Sequence, residues 1–354
     1  MRSFFCQNYK KEKGMIERRS FLQTLAAAMP AMMLPWQACD GNAQDGNASD
    51  RLGELLPQRQ LGRTNIPVTM LGVGGFHVGW TTEKDAQAVI ETALEGGVRF
   101  FDTAESYARG VSEERYGKYI TPKYRDQVFI MTKSTARDAE TAQRHLDESL
   151  QRLDTDYIDL WQVHSLQNPE DVDNRINNGV LDVFIQAKQS GKVKYIGFTG
   201  HKNPYAHLRM LEQTESSDLF DTCQMPISVV DAASEHSFTR LVLPKLQERS
   251  IAPLAMKTLA DGRFFAKKVR LEDIQWESEN PVVPDHVTLE QAIHFAWSMP
   301  ISVLITGAEN SDLMQEKIEM AKSFAALNEE KRQALVTKVE DLAREGKVEY
   351  YKDV

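Results

Sequence analysis

The stretch VRFFDTAESYARG, residues 98–110, decides the fold of this chain. It begins with a short, mainly apolar run, 98–101, and continues into the polar residues Asp102, Glu105 and Tyr107. A short apolar run bounded by polar residues is typical of a strand buried in a parallel sheet. In folds built on parallel strands, ligands bind at the carboxyl ends of the strands. The stretch therefore predicts a buried strand with a functional site at its end.

Seven other apolar runs in the chain have the same strand-like character. They are 68–74, 128–132, 158–163, 193–198, 222–225, 251–255 and 302–305. Amphipathic stretches with helical spacing, such as 138–153, separate them. Eight strands alternating with helices over about 300 residues predict an α/β fold, a closed (β/α)8 TIM barrel. A hairpin is predicted before the first strand, and an extra C-terminal helix, 328–346, after the last.

An open, doubly wound sheet is the main alternative to the barrel. The dinucleotide-binding form of that fold carries G-x-G-x-x-G where an early strand turns into a helix. The nearest match here, GVGGF at 72–76, does not have that spacing. The barrel is therefore favoured.

The composition excludes some classes of function. The 354-residue chain is 42% hydrophobic and 26% charged, which suits a soluble globular protein with a sizeable core. Its formal net charge of −9 argues against a nucleic-acid partner, because phosphate binding needs a basic surface. The three cysteines, Cys6, Cys39 and Cys223, form neither a metal-ligand spacing nor a disulfide framework.

Residues near the start of the chain differ in character from the rest. Arg18 and Arg19 precede Phe21, Leu22 and an apolar stretch of about a dozen residues, which is too short to span a bilayer. This pattern resembles a twin-arginine export signal and implies the twin-arginine export machinery as a partner. We therefore expect an export signal and cleavage region at 1–43, a polar linker at 44–57 and the barrel at 58–354.

Export predicts a periplasmic or outer cell-envelope location for a mature chain without an integral membrane span. Cleavage is expected at 41–43, where small residues fill the recognition positions, or before Cys39, which would then carry a lipid anchor. Met15 is an alternative start of translation. The alternative to export is a basic amphipathic start on a cytosolic protein.

Polar residues of complementary chemistry follow the predicted strands. In strand order, beginning at the second strand, they are Asp102 with Tyr107, Lys133, His164, Thr199 and Gln224. Because the carboxyl ends of the strands of a parallel barrel lie on one face, we expect these side chains to meet there. Each residue taken singly has an ordinary structural explanation, such as a loop cap or a surface charge. The combination of types favours a catalytic site.

The first four of these residues suit proton donation to a carbonyl group that receives a hydride. A phenol such as Tyr107 is a poor acid at neutral pH unless its anion is stabilised. The ammonium of Lys133 would stabilise it, and Asp102 would hold that ammonium in place. A neutral His164 would orient the carbonyl oxygen by a hydrogen bond.

Several motifs resemble the aldo-keto reductases along residues 58–325. The motifs are DTAESYARGVSEERYGKYI (102–120), VFIMTKS (128–134), DYIDLWQVHS (156–165) and VLITGAEN (303–310). The resemblance implies a (β/α)8 barrel that binds a nicotinamide cofactor without a Rossmann motif. It also implies Tyr107 as general acid, Lys133 and Asp102 as the pair that tunes it, and His164 as the group that orients the carbonyl.

The residues after the fifth strand depart from the family's cofactor-binding pattern. Thr199 and Gly200 stand where the family commonly has Ser-Asn. One hydrogen bond to the nicotinamide carboxamide is therefore lost, or His201 supplies it. Gln224, the usual partner of the carboxamide on the sixth strand, is present.

Other departures affect the choice of cofactor. Met256 replaces a stacking tyrosine and can cover the ring through its soft sulfur, and Lys257 is either a pyrophosphate contact or a surface lysine. Leu313 replaces an arginine that often grips the 2′-phosphate, so NADH is the alternative to the NADPH that the resemblance implies. The predicted cofactor-binding residues are Gly74, Gly75, Phe76, Asp102, Thr199, Gln224, Met256, Lys257, Leu259, Gly307, Asn310 and Glu316. No cysteine follows Cys223, so the iron–sulfur module of some relatives is not expected, nor is a metal.

The expected substrate is a small carbonyl compound. The residues predicted to line its pocket are Trp80, Tyr107, His164, Phe264 and Trp276. The alternative for the aromatic residues among them is that they pack the loops at 76–80 and 261–285 onto the barrel.

Two other functions fit parts of the sequence. An exported barrel could be a nucleotide-bound sensor or accessory subunit with little turnover, because twin-arginine export moves folded proteins with their cofactors. A metal-dependent hydrolase is disfavoured. The first strand has no His-x-His at its end, and no ligand is suitably spaced from His164.

Overall fold

A computed structural model describes residues 48–265, 283, 285–344 and 348–354. Eight parallel strands in this part of the chain form a closed barrel, in which each strand pairs with the next and the last pairs with the first. The strands are β1 (Leu71–Gly74), β2 (Phe100–Asp102), β3 (Phe129–Ser134), β4 (Ile158–Val163), β5 (Val193–Thr199), β6 (Thr222–Pro226), β7 (Ala252–Met256) and β8 (Val303–Thr306). The predicted (β/α)8 barrel is confirmed. The open-sheet alternative is wrong, because the sheet has no edge.

Helices surround the barrel, and several begin at a polar cap. Asp138 and Asn168, for example, accept hydrogen bonds from the amides of Thr141 and Asp171, which a helix start otherwise leaves unpaired. The helices of the described residues are α1 (Gly75–Trp80), α2 (Glu83–Glu95), α3 (Val111–Tyr119), α4 (Thr121–Tyr124), α5 (Ala139–Arg152), α6 (Pro169–Asn177), α7 (Val180–Gln189), α8 (Pro204–Gln213), α9 (Val229–Ala233), α10 (Phe238–Leu241), α11 (Leu243–Glu248), α12 (Leu289–Trp297), α13 (Ser311–Lys322), α14 (Glu329–Thr337) and α15 (Glu340–Arg344).

Alternate residues of the strands belong to two separate apolar cores. Phe100 packs in a cluster with Met131, Leu160 and Leu254 from other strands. Its neighbour Phe101 belongs to the larger cluster shared with the helices. This alternation follows from the pleat of a strand, which points successive side chains to opposite faces. Both faces of the strands are thus largely occupied by apolar packing.

The predicted hairpin closes the amino-terminal end of the barrel. Its strands, Gln58–Gln60 and Pro67–Thr69, pair in antiparallel fashion, and the adjoining Leu61 is fully buried in the inner cluster. Gly62 follows with φ of +52°, and a Cβ at this position would lie 2.7 Å from the carbonyl oxygen of Ser250. The close approach thus requires glycine.

Part of the predicted linker, 44–57, packs on the barrel. Ser49–Asp50 pairs with Gly53–Glu54, Leu56 is 3% exposed, and Asp50 accepts a hydrogen bond of 2.6 Å from Arg99. An apolar side chain and a buried ion pair hold these residues, although the composition of the stretch is polar. The predicted export signal, including Arg18, Arg19 and Cys39, lies outside the described residues.

The predicted extra helix, 328–346, is two helices in the described part of the chain. Helix α14 ends at Thr337, and α15 begins at Glu340. Between them the amide of Val339 donates to Val336 three residues back, and the side chain of Val339 is fully buried. The chain turns here because it buries this apolar residue. Among the described residues, no helix has both the length and the apolar character to cross a membrane.

Candidate active site

The structure brings Asp102, Tyr107, Lys133 and His164, called the tetrad below, together at the carboxyl ends of β2, β3 and β4. The ammonium of Lys133 pairs with Asp102 Oδ1 and donates to the carbonyl oxygen of Thr103 at 2.7 Å and to the hydroxyl of Tyr107 at 3.2 Å. The Tyr107 and His164 ring centroids lie 5.7 Å apart with the planes nearly perpendicular. Lys133 is 1% and Asp102 is 3% exposed, so the ion pair is buried.

Left-handed backbone at non-glycine residues occurs beside the tetrad. Ala108 and Arg109, directly after Tyr107, have φ of +50° and +57°, and Ser165, directly after His164, has +57°. Such conformations cost energy and persist where the surrounding structure imposes them, often at functional sites. The turns that aim Tyr107 and His164 are therefore fixed by the fold.

Burial sets the protonation states of the two rings. Burial, and then the charge of Lys133, lowers the pKa of His164 well below 6.5, so the imidazole is neutral near pH 7. Burial, and then the charge of Asp102, raises the pKa of Tyr107 well above 10. Tyr107 thus carries its proton, and neutral His164 can hydrogen-bond a carbonyl oxygen.

Stabilisation of the phenolate by Lys133 would lower the pKa of Tyr107, whereas the net direction in the structure is upward. Lys133 is itself neutralised by Asp102, and burial penalises the phenolate anion. Burial also lowers the pKa of Lys133, against the opposing effect of Asp102. The phenol of Tyr107 is therefore protonated at neutral pH.

Two of the predicted cofactor residues lie on adjacent strands, Thr199 at the end of β5 and Gln224 within β6. Thr199 and Gln224 are each 1% exposed, at β5 and β6. The Oε1 atom of Gln224 is buried and has no hydrogen-bond partner among the described residues. A buried amide oxygen of this kind fits a ligand that donates a hydrogen bond, such as the carboxamide of nicotinamide.

Position 200 has no room for a side chain larger than that of glycine. A Cβ there would lie 2.8 Å from the carbonyl oxygen of Leu166 and 3.0 Å from Cε1 of His207. His207, fully buried, fills the space beside Gly200, a role that the sequence analysis missed. No local pattern signals it, since helix α8 brings the two residues together.

The predicted glycines serve packing between elements. A Cβ on Gly75 would lie 2.1 Å from the carbonyl oxygen of Asp102, and one on Gly307 would lie 1.8 Å from His77 Nδ1. Asn310 caps α13 by accepting from the amide of Leu313 at 3.0 Å. Gly74 ends β1, close to the backbone of residues 306 and 307. Each of these positions thus has a structural reason independent of a ligand.

The remaining predicted cofactor residues are spread more widely. Met256 ends β7 and is partly buried, as is Leu259 in the following loop, whereas Glu316 on α13 is exposed. Lys257 is paired with Asp261 at 2.8 Å. Burial raises the pKa of Asp261, but the charge of Lys257 outweighs this and holds it well below its usual range. The charge of Lys257 is thus already balanced within the protein.

The model of the aldo/keto reductase family matches residues 70–351. This chain belongs to the aldo/keto reductase family. The oxidoreductase YqkF of Bacillus subtilis is 26% identical over 305 residues, which cover 78% of this chain and 94% of that protein. The Schizosaccharomyces pombe aldo-keto reductase yakc, whose name includes NADP(+), is 27% identical over 159 residues, 41% of this chain and 45% of that protein. The solved holo form of aldo-keto reductase AKR11C1 from Bacillus halodurans has the same fold, with a TM-score of 0.66 at 22% identity over 80% of this chain and 96% of that one.

Aromatic side chains border the tetrad of this aldo/keto reductase. The ring of Phe76 lies 5.6 Å from that of Tyr107 and 6.2 Å from that of Trp80, centroid to centroid. Nε1 of Trp80 is buried without a hydrogen-bond partner among the described residues. These rings form one side of the site. The predicted pocket role of Phe264 is not supported, because Phe264 is 2% exposed and packs in the large core, and Trp276 lies outside the described residues.

A cavity of about 480 Å³ lies where the loops after β5 and β7 meet residues 348–354, called the C-terminal segment below. Tyr350 donates to Asp261 at 2.8 Å, and the ring of Tyr351 stands edge-on to His201 at 5.8 Å. Asp261 also raises the pKa of Tyr107, after burial and Asp102. His201 and Lys257, which the sequence suggests as cofactor contacts, line this cavity, whereas no local pattern predicts the contribution of residues 348–354.

A buried ion cluster anchors the C-terminal segment of the reductase. Lys352 pairs with Asp231 at 2.8 Å and with Glu349 at 2.6 Å, and the three side chains are 6%, 0% and 5% exposed. Burial, and then the charge of Asp231, raises the pKa of Glu349 to about 7. Among the described residues, no group of three or more histidine, cysteine or acidic side chains is placed to hold a metal ion.

Proposed function

We propose that this aldo/keto reductase converts an aldehyde or ketone to the alcohol, with Tyr107 as the proton donor. The contact of Lys133 with both Asp102 and the Tyr107 hydroxyl carries the proposal, since it places a charged hydrogen-bond network behind a protonated phenol. His164 stands beside that phenol as a neutral ring. Carbonyl reduction needs such a donor, because negative charge develops on the oxygen as the carbon is reduced.

Each residue has a separate task in this reaction. A bound reduced nicotinamide would supply the hydride. His164 orients the carbonyl oxygen through a hydrogen bond, and Tyr107 gives its proton to that oxygen. The ammonium of Lys133 stabilises the phenolate that is left, while Asp102 keeps the ammonium in place. Gln224 and Thr199 would hold the carboxamide of the cofactor.

Fluorescence titration of residues 44–354 with NADPH and NADH in parallel tests the cofactor. NADPH is the first choice, because the relative from S. pombe is named for NADP(+). The absence of a phosphate clamp at Leu313 makes NADH the alternative. Binding of neither, to protein shown by mass spectrometry to be free of nucleotide, would overturn the reductase proposal.

Tyr107→Phe tests the proton donor. We expect carbonyl reduction to fall by about 100-fold or more while nucleotide binding is nearly unchanged, because only the hydroxyl is lost. Both are measured on the same preparation, with the carbonyl screened as a panel of aldehydes and ketones. An equal loss of nucleotide affinity would show that the ring serves binding rather than proton transfer.

A second function, an exported nucleotide-bound sensor or accessory subunit, is favoured by the paired arginines Arg18 and Arg19. A cofactor loaded before export would travel with the folded chain. We expect the full chain to reach the periplasm or cell envelope and the variant Arg18→Lys with Arg19→Lys to stay in the cytoplasm. Fractionation followed by immunoblotting measures this, and equal distribution of the two proteins would contradict export by this route.

The exported fraction also separates the two functions. A sensor or accessory subunit would retain its nucleotide through extensive dialysis and show little turnover with any carbonyl. A reductase that exchanges its cofactor would lose it. Nucleotide content measured by absorbance and mass spectrometry before and after dialysis distinguishes these outcomes.

A further inference from the structure

Glu105, in the loop between β2 and Tyr107, bonds this loop to the end of β3. Its Oε1 accepts from the amide of Thr135 at 2.8 Å and also from the Thr135 hydroxyl. Its own amide donates to the carbonyl oxygen of Lys133 at 3.4 Å. The loop that carries Tyr107 is thus bonded to the end of the strand that carries Lys133.

The same network continues to the strand that carries His164. Arg175 on α6 donates to the carbonyl oxygen of Ala136 at 3.2 Å and to that of His164 at 2.9 Å. Arg175 is 2% exposed, so these bonds are made away from solvent. The ends of β2, β3 and β4 are therefore fixed to one another by side chains that do not belong to the tetrad.

Among the described residues, no lysine or arginine pairs directly with the carboxylate of Glu105. Its side chain is 6% exposed, and Oε2 is buried without a hydrogen-bond partner among the described residues. His145 Nδ1 on α5 lies 3.5 Å from Oε1 but is also 2.9 Å from the hydroxyl of Ser134. A buried polar atom without a partner is costly, so its presence calls for a role.

The titratable and charged groups around Glu105 indicate that role. They are Lys133 on β3, His145 on α5, Arg175 on α6 and Tyr107 in its own loop. For Lys133, burial lowers the pKa, Asp102 raises it, and Glu105 raises it further. For Tyr107, burial, Asp102, Asp261 and then Glu105 raise the pKa. Glu105 thus acts on both members of the proton-donating pair, in the same direction.

We propose that Glu105 is a positioning residue of the reaction: it ties the Tyr107 loop to the end of β3, and its negative charge keeps the proton on the Tyr107–Lys133 pair. This rests on the proposed role of Tyr107 as proton donor. Asp102 alone balances the charge of Lys133, so a second buried carboxylate makes the surroundings of Tyr107 net negative. Loss of a proton from either group is then opposed across the working pH range.

Glu105→Gln tests the charge while keeping an oxygen for Thr135. We expect the basic limb of the pH profile of kcat to move to lower pH by about one unit, because both affected pKa values fall. The ionisation of Tyr107 is followed independently of catalysis by the near-ultraviolet absorbance of phenolate. The absorbance of the same protein with Tyr107→Phe added is subtracted in each case. The midpoint of this ionisation should also fall in Glu105→Gln.

Thr135→Val is the matched control, since it removes a hydrogen bond to Glu105 and leaves the charge in place. It should lower kcat if alignment matters, but leave both the pH profile and the Tyr107 titration where they are in the wild type. Should Glu105→Gln fold poorly, Glu105→Asp is the second variant, because it keeps the charge on a shorter side chain. We expect Tyr107 in this variant to titrate as in the wild type, while kcat is altered. A Tyr107 titration unchanged by Glu105→Gln overturns the proposal. Failure of the wild type to bind any nucleotide would instead overturn the reductase proposal, while the absorbance titration would still test Glu105.

Discussion

At the scale of single residues, the site depends on a buried charge pair. Lys133 and Asp102 are both withdrawn from water, and the ammonium reaches the carboxylate, the Thr103 carbonyl and the Tyr107 hydroxyl at once. A buried pair of this kind is weak evidence for stability as a whole, but removing one partner leaves an uncompensated charge. The proposed reaction and the stability of the fold therefore both depend on Lys133.

Lys133→Met should impair both turnover and the stability of the fold. The charge that supports Tyr107 is lost, so turnover should nearly vanish. The carboxylate of Asp102 is left buried, so the free energy of unfolding should fall by about 3–5 kcal/mol. In the double variant Lys133→Met with Asp102→Asn, the stability should recover in part and the activity should not. Urea unfolding and steady-state kinetics measure the two, and additive stability losses would argue against a direct pair.

At the scale of elements, the C-terminal segment shows how a stretch remote in sequence packs against the loops after β5 and β7. It contributes Tyr350 and Tyr351 to a cavity whose other wall is made by the loops after β5 and β7. Its anchor, Lys352, is bound to Asp231, which lies 121 residues earlier in the chain. One ammonium between two acids thus contributes to docking, together with the hydrogen bond from Tyr350 to Asp261.

Lys352→Met should release the segment without unfolding the barrel. Asp231 and Glu349 would face each other without a counter-charge, which disfavours the docked state. We expect faster hydrogen exchange in the C-terminal segment, with unchanged protection of the barrel strands. Lys202→Met is the control, because Lys202 lines the same cavity and its ammonium has no ion pair among the described residues. Equal exchange in both variants would contradict the anchoring role.

The barrel strands and the contacts between elements show how much of the structure local sequence can predict. Each of the strands β1 to β8 is predicted from a single local apolar run. The predicted positions therefore agree with the structure to within a few residues. The tetrad follows, because each of its members lies at or just after a predicted strand. The contacts of Glu105 with Thr135 and of Lys352 with Asp231 join residues distant in sequence, and no spacing in the sequence predicts them. The sequence also does not predict the net direction in which the pKa of Tyr107 is shifted, because that direction depends on burial.

At the scale of the whole molecule, buried neutral histidines link stability to pH. Burial lowers the pKa of His201 and of His207 to about 4. Each takes up a proton near pH 6.5 once the chain unfolds. Because these folded-state values lie below the unfolded one, the unfolded state binds more protons between about pH 4 and 6.5. Stability should fall as the pH falls through that window.

His207→Leu should weaken this acid sensitivity. One fewer buried imidazole then has to take up a proton on unfolding, which removes about 1.4 kcal/mol for each unit of pKa shift. The measurement is the free energy of unfolding in urea at several pH values between about 7 and 4. The slope against pH should be shallower in the variant by up to one proton, and parallel curves would contradict the assignment.

The position of the C-terminal segment also has a consequence for how the gene tolerates change. A stop codon at position 348 would spare every barrel strand and the whole tetrad. It would nevertheless remove Tyr350, Tyr351, Lys352 and Asp353, all of which line the cavity beside the loops after β5 and β7. Selection should therefore retain these codons, although they encode no strand of the barrel.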